Sequence, residues 1–406
     1  MKNKTFLSII LILLIIIYSY PVTAYTIPVW SNLDGLAEVN ADTSEDFLNI
    51  ESESAILIEQ TTGKVLYEKN SHKQLRPASV TKVMTILLIM EALDRGDINL
   101  DTKIPCSENA SNMGGSQIWL NETETLTVDE MLKAICVVSA NDCTVAMAEY
   151  LAGSEELFVQ KMNERAKELG MNDTTFKNCH GIDEEGHVSS SYDIALMSKE
   201  LLQNHPVITN YTTIWMDSLR DGQSELVNTN KLIRTYDGIT GLKTGSTSLA
   251  LYNLSASATR NELSLISVIL RAPTTKLRFS EAKLLLDYGF NNYKYNKFAK
   301  KGDFIQSIDI SKGVEKKVNL VFETDCGALI KKNENQNITQ ELIINDNINA
   351  PILEGEILGK MNFYINNELI CTTNLVAEKS VEKMNFANIL SYISEKWINL
   401  NREKWL

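Results

Sequence analysis

Three short strings in this chain hold residue types that can perform acyl transfer: Ser79-Val80-Thr81-Lys82, Ser139-Ala140-Asn141 and Lys243-Thr244-Gly245. A serine hydroxyl is a poor nucleophile until a neighbouring base takes its proton. Positions i and i+3 of a helix share a face, so the Lys82 amine can reach the Ser79 hydroxyl. Lysine serves as that base when burial and a second cation, here Lys243, hold its pKa down. Near the start of its helix, Ser79 also feels the favourable end of the helix dipole as negative charge develops. Ser139 and Asn141 supply a hydroxyl for proton relay and an amide for holding a substrate amide. Lys243 and Gly245 alternate along a strand, so both face one cleft while the strand edge can bond an extended peptide. The backbone N–H groups of Ser79 and Ser246 are the predicted oxyanion donors.

Each string alone is weakly diagnostic. S-x-x-K occurs at Ser79, Ser280 and Ser380, and S-x-N occurs at Ser107 and Ser139, but K-T-G occurs once. Requiring the order S-x-x-K, S-x-N, K-T-G removes Ser280 and Ser380, which follow Lys243. Ser139 directly follows a capped apolar helix, whereas Ser107 lies in a polar stretch. A Ser-His-Asp triad would need His180, which we read as orienting a loop, since Lys82 already supplies a base. The four histidines are scattered and the cysteines form no CxxC pair, so neither a metal nor a cofactor is expected.

The elements around these residues describe an α+β protein. Ala55 to Asn70 reads as a hairpin about Thr62-Gly63. The run after Ser79, VTKVMTILLIMEAL, is apolar on nearly every side and reads as a central buried helix. Thr127 to Glu130 is a capping box opening a helix to about Val138. Further helices end near Gly153 and Gly170, and another spans Tyr192 to Leu202. Tyr252–Ser257 and Leu263–Leu270 form a second hairpin, and a helix at Lys276–Tyr288 closes the unit. Beyond Lys297 come short β runs at Phe304–Ile310, Lys317–Phe322, Leu342–Ile344, Phe363–Ile365 and Leu369–Val376.

The ends of the chain differ from its middle. Lys2 and Lys4, the apolar run Phe6 to Tyr18 and the small residues before Ala24 make residues 1–24 a secretory signal peptide. Residues 25–50 read as a polar linker. At 380–406, Phe386, Leu390, Ile393, Trp397 and Leu400 recur at helical spacing among Lys and Arg, which suits an amphipathic helix on a membrane surface. The expected location is therefore the outer face of the cytoplasmic membrane, facing the cell wall. Most of the six cysteines are read as buried free thiols. The chain has 406 residues, 39 Lys and Arg against 52 Asp and Glu, and a net charge of −13. That balance argues against a nucleic-acid partner, which needs a basic surface to displace counterions.

With these motifs in place, the sequence resembles the low-molecular-weight penicillin-binding proteins, serine-type D-alanyl-D-alanine carboxypeptidases. The resemblance runs from about Ser54 to Val376. It includes PASVTKVMT around Ser79, GGSQIWL at 114–120, SANDC at 139–143, CHGID at 179–183, DGITGLKTG ending at Gly245 and YNLSASAT at 252–259. It implies a β-lactamase/transpeptidase-like domain (51–292), with an antiparallel sheet and a helical cluster. A small all-β, sandwich-like domain (297–377) and the membrane-anchoring helix (380–406) would follow. It implies that Ser79 is acylated by a peptidoglycan stem peptide ending in D-Ala-D-Ala, with terminal D-Ala released, and that β-lactam antibiotics trap the acylated serine. By position it also implies that Arg278 helps Thr244 bind the terminal carboxylate and that Ser116 stands on the cleft rim. Ser246, Leu251 and Ala140 depart from the usual residues at their positions. The alternatives on the same chemistry are a β-lactamase and a peptidoglycan endopeptidase, and a non-catalytic wall-binding protein is the alternative without it. The E-x-x-L-N string of one β-lactamase class is missing between Ser139 and Lys243.

Overall fold

A computed structural model describes residues 48–334, 336–390, 393, 394 and 397. The signal peptide at 1–24, the linker as far as residue 47 and the far end of the tail lie outside the described residues.

β1 (Ser54–Glu59) and β2 (Val65–Lys69) form the first hairpin. The apolar run then begins differently from the expected single helix. Ala78–Thr81 is one 3-10 turn, and α1 (Lys82–Asp94) follows, buried on several sides. Next come β3 (Lys103–Pro105), the short α2 (Glu108–Ser111) and β4 (Thr125–Thr127), which pairs with β3. α3 (Val128–Val137) opens with the capping box: the Thr127 hydroxyl accepts from Glu130 N, and the Glu130 carboxylate accepts from Thr127 N. α4 (Asn141–Ala152), α5 (Glu155–Glu168) and α6 (Ser191–Asn204) complete the helical middle.

After the short α7 (Thr209–Thr212), the chain makes a hairpin that the sequence did not announce, β5 (Met216–Leu219) with β6 (Ser224–Val227). The short α8 (Leu232–Thr235) precedes β7 (Ile239–Thr247), β8 (Leu251–Arg260) and β9 (Leu263–Ala272). α9 (Thr275–Asn292) runs four residues past the expected end. The sheet is antiparallel in the order β2-β1-β9-β8-β7, which leaves β7, with Lys243, at an edge. Alternation along β1 divides the core. Ile56 and Ile58 face α1, α3 and α6, whereas Ala55 and Leu57 face Leu285 and Leu286 of α9.

Two boundaries move. Leu48 and Ile50, taken as linker, pack with Tyr67 and Leu285, and Ile50 is only 2% exposed. The β-rich segment starts at Tyr293, not Lys297: β10 (Tyr293–Ala299) pairs with β13 (Cys326–Lys331). A second sheet runs β11-β12-β16-β15-β14. It is built from β11 (Phe304–Asp309), β12 (Lys317–Phe322), β14 (Ile338–Ile344), β15 (Ile357–Ile365) and β16 (Glu368–Ala377). Cys326 and Cys371, 45 residues apart, form a disulfide, while Cys106, Cys136, Cys143 and Cys179 are buried free thiols. A helix begins at Phe386, and among the described residues no helix is long and apolar enough to cross a membrane.

Candidate active site

Ser79 stands on the 3-10 turn, where residues i and i+3 eclipse, so Lys82 is carried directly beneath it. Lys82 Nζ lies 3.2 Å from Ser79 Oγ. It also donates to Asn141 Oδ1 at 2.6 Å and to the His180 carbonyl at 2.7 Å. A neutral amine has two hydrogens and one lone pair. The two acceptors take the hydrogens, which leaves the lone pair for the serine hydroxyl. Burial, and secondly the charge of Lys243, push the Lys82 pKa well below its ordinary value. Both causes favour that neutral form.

Lys243 is also buried, with its pKa lowered to about 7, chiefly by desolvation. Its Nζ donates to the Thr244 carbonyl at 3.0 Å. Gly245 shows why β7 can lie so close to the nucleophile: a Cβ there would stand 2.9 Å from Pro77 O, Ser79 N and Val80 N. This brings the backbone after Lys243 against the turn that carries Ser79, the arrangement needed for a shared oxyanion hole. Ser246, next in the strand, is exposed. Leu251, at the start of β8, has φ +56°, a conformation that costs a non-glycine residue ~1–2 kcal/mol.

Asn141 does more within the protein than sequence reasoning assigned to it. Its Nδ2 donates to Gly114 O at 2.7 Å and its backbone N to Ser116 O at 2.7 Å, while Oδ1 holds Lys82. One hydrogen of the amide remains for substrate. Ser116 itself is exposed on this loop and meets Asn141 through its backbone. Asp142, unnoticed in the sequence, is fully buried, and its carboxylate accepts from Ile118 N and Leu120 N. It thereby ties the 114–120 loop to the first turn of α4. Ser139 has φ +66°, and its buried hydroxyl has no partner among the described residues.

Arg278 is 5% exposed, so it is no surface cation. Nη1 donates to Gly245 O at 3.3 Å and Asn253 O at 3.1 Å, and its guanidinium lies 4.6 Å from the Phe279 ring. Burial lowers its pKa to about 10. His180 is neutral, because burial first and the Lys82 charge second push it down to about 3. Its contribution to the site is the carbonyl that receives Lys82. The next residue, Gly181 (φ +91°), has to be glycine, since a Cβ would lie 2.0 Å from Ala78 O.

The rejected motif matches have structural partners. Ser107 caps α2 and donates to Glu149, Ser280 donates to Leu277 O, and Ser380 accepts from Glu354 N. Among the described residues, no group of three His, Cys, Asp or Glu side chains is placed to hold a metal ion.

Comparison with known proteins agrees with this geometry. Residues 39–274 match the family described as D-alanyl-D-alanine carboxypeptidase, and residues 293–383 match the C-terminal domain of penicillin-binding protein 5. The chain is 44% identical over 351 residues to D-alanyl-D-alanine carboxypeptidase DacF of Bacillus subtilis (strain 168), covering 86% of this chain and 90% of that protein. Penicillin binding protein 5 of Haemophilus influenzae is 29% identical with a TM-score of 0.66, over 82% of this chain and 98% of that one. Penicillin-Binding Protein D2 of Listeria monocytogenes, solved in an ampicillin-bound form, is 31% identical with a TM-score of 0.55, over 60% of this chain and 99% of that one.

Proposed function

The chain belongs to the D-alanyl-D-alanine carboxypeptidase family, and from that premise we propose that it removes the terminal D-alanine of peptidoglycan stem peptides through an acyl-enzyme on Ser79. The observation that carries this reading is the Lys82 amine, buried, with acceptors for two hydrogens and a lone pair left for Ser79.

The substrate peptide adds to the free edge of β7. Its terminal carboxylate meets Thr244, with Arg278 bonded to the carbonyl of the next residue, Gly245, and Lys243 preceding Thr244 in the strand. Ser79 Oγ attacks the carbonyl carbon of the penultimate D-Ala while Lys82 takes the hydroxyl proton. Negative charge on the tetrahedral oxygen is met by the N–H groups of Ser79 and Ser246. The C–N bond breaks, and the leaving amine receives a proton through Lys82 and the Ser139 hydroxyl. Water then attacks the ester, which frees the shortened peptide and restores Ser79. A β-lactam carries a carboxylate and a strained amide in the same relation, so it acylates Ser79 and is released slowly. The names of the relatives favour this reading over a β-lactamase or an inactive wall-binding protein.

The same reading places the protein outside the cytoplasmic membrane. Support comes from the signal-like residues 1–24 and from the tail, where Phe386, Leu390, Ile393 and Trp397 are all exposed. The test of function is mass spectrometry after ampicillin exposure, paired with D-Ala release from a peptide ending in D-Ala-D-Ala. The expected result is one adduct on Ser79, with both activities lost in Ser79→Ala while the circular dichroism spectrum is kept. An adduct on another residue, or D-Ala release by the variant, overturns the assignment.

A further inference from the structure

We propose that Thr229 is a positioning residue for the carboxylate subsite, fixing the direction in which Thr244 offers its hydroxyl hydrogen to substrate. This rests on the function proposed above.

Thr229 lies in the loop after β6, between two buried asparagines. Asn228 Nδ2 donates to Ile214 O at 2.7 Å and Thr212 O at 3.3 Å, and Asn228 Oδ1 accepts from Asn230 N at 2.8 Å. Asn230 Nδ2 donates to Gly241 O in β7 at 3.2 Å, and its Oδ1 accepts from Leu232 N at 3.1 Å. Thr229 N donates to Val137 O, the last residue of α3 and two before Ser139, at 3.1 Å. The tripeptide therefore bolts β7 to the end of α3, two residues before Ser139. From this anchored backbone Thr229, itself exposed, places its Oγ1 2.7 Å from Thr244 Oγ1.

A threonine hydroxyl has one hydrogen and two lone pairs. Alone, the Thr244 O–H rotates and must be ordered when a carboxylate arrives. When Thr229 donates to Thr244 Oγ1, the Thr244 hydrogen is directed away from Thr229 and toward the incoming anion. The resulting chain, from Thr229 through Thr244 to the carboxylate, is charge-assisted at its far end, and each bond polarises the next. Thr229 acts through Thr244 in this arrangement and need not touch the substrate.

The experiment uses the full chain with two peptides, one ending in D-Ala-D-Ala with a free carboxylate and the same peptide with a C-terminal carboxamide. In Thr229→Val, KM for the acid rises about five- to tenfold, the size of one lost hydrogen bond, while kcat stays within about twofold. The kcat/KM for the carboxamide is unchanged, and Thr229→Ser restores the acid KM. An unchanged acid KM, an equal loss on both peptides, or failure of serine to rescue would overturn the proposal. Wild-type protein that neither releases D-Ala nor takes an ampicillin adduct would instead overturn the function itself.

Discussion

The floor of the cleft and the C-terminal β domain treat buried side chains in opposite ways. In the cleft, Lys82, Lys243 and Arg278 are all buried, and among the described residues none pairs with a carboxylate. In the β domain the core is Val318, Leu320, Leu358, Phe363, Leu375 and their neighbours, and the buried polar residues described there are Asn362 and Thr373. An isolated buried cation costs roughly several kcal/mol. The fold bears that cost where a lysine has to be neutral and a carboxylate has to be drawn in. Where no acid–base chemistry is needed, apolar contacts and one disulfide suffice.

The largest effect that would sharpen this contrast is the loss of the base. Lys82→Met keeps the volume and removes the lone pair, so ampicillin acylation and D-Ala release should fall by ~10²–10⁴. Rates within tenfold of wild type would place the base elsewhere. Gly245→Ala should rank next. Its Cβ forces β7 or the 3-10 turn to shift, with an acylation loss of about tenfold or more and destabilisation of ~1–3 kcal/mol. Normal acylation by that variant would mean that the spacing between strand and turn is not critical. The smallest effect on chemistry belongs to the other region. Replacing Cys326 and Cys371 with serine should lower denaturant resistance of the β domain by ~2–4 kcal/mol while acylation stays within about twofold. A parallel fall in acylation would show that the two regions are one energetic unit.

The same contrast explains what could be read in the sequence. Ser79, Lys82, Ser139, Asn141 and Lys243 stand out because their chemistry tolerates few substitutes at fixed spacing. Thr127 and Glu130 announce a helix start because their side chains do a local job. The 3-10 turn under Ser79 is hidden, because apolar periodicity over one turn does not separate it from an α-helix. Asp142 and Thr229 act through backbone groups and hydroxyls distant in the chain, so no spacing reveals them. β10 is mixed in composition with only its two ends buried, and β14 is almost wholly exposed, so apolar alternation places the domain boundary four residues late and β14 four residues short. The Cys326–Cys371 pairing depends on the meeting of β13 and β16, which cysteine spacing alone does not encode.

The most direct test of the central claim is the charge on Lys82. In protein labelled with 13C at lysine Cε, its resonance is identified by its loss in Lys82→Met and then followed with pH. The account predicts a neutral amine at pH 7, titrating well below the ordinary 10.5. The Lys243 charge lowers that pKa, so Lys243→Gln should raise it and move the acid limb of kcat/KM to higher pH, by part of the shift only because burial is the larger cause. A Lys82 that is fully protonated at pH 7 and titrates near 10.5 would contradict it.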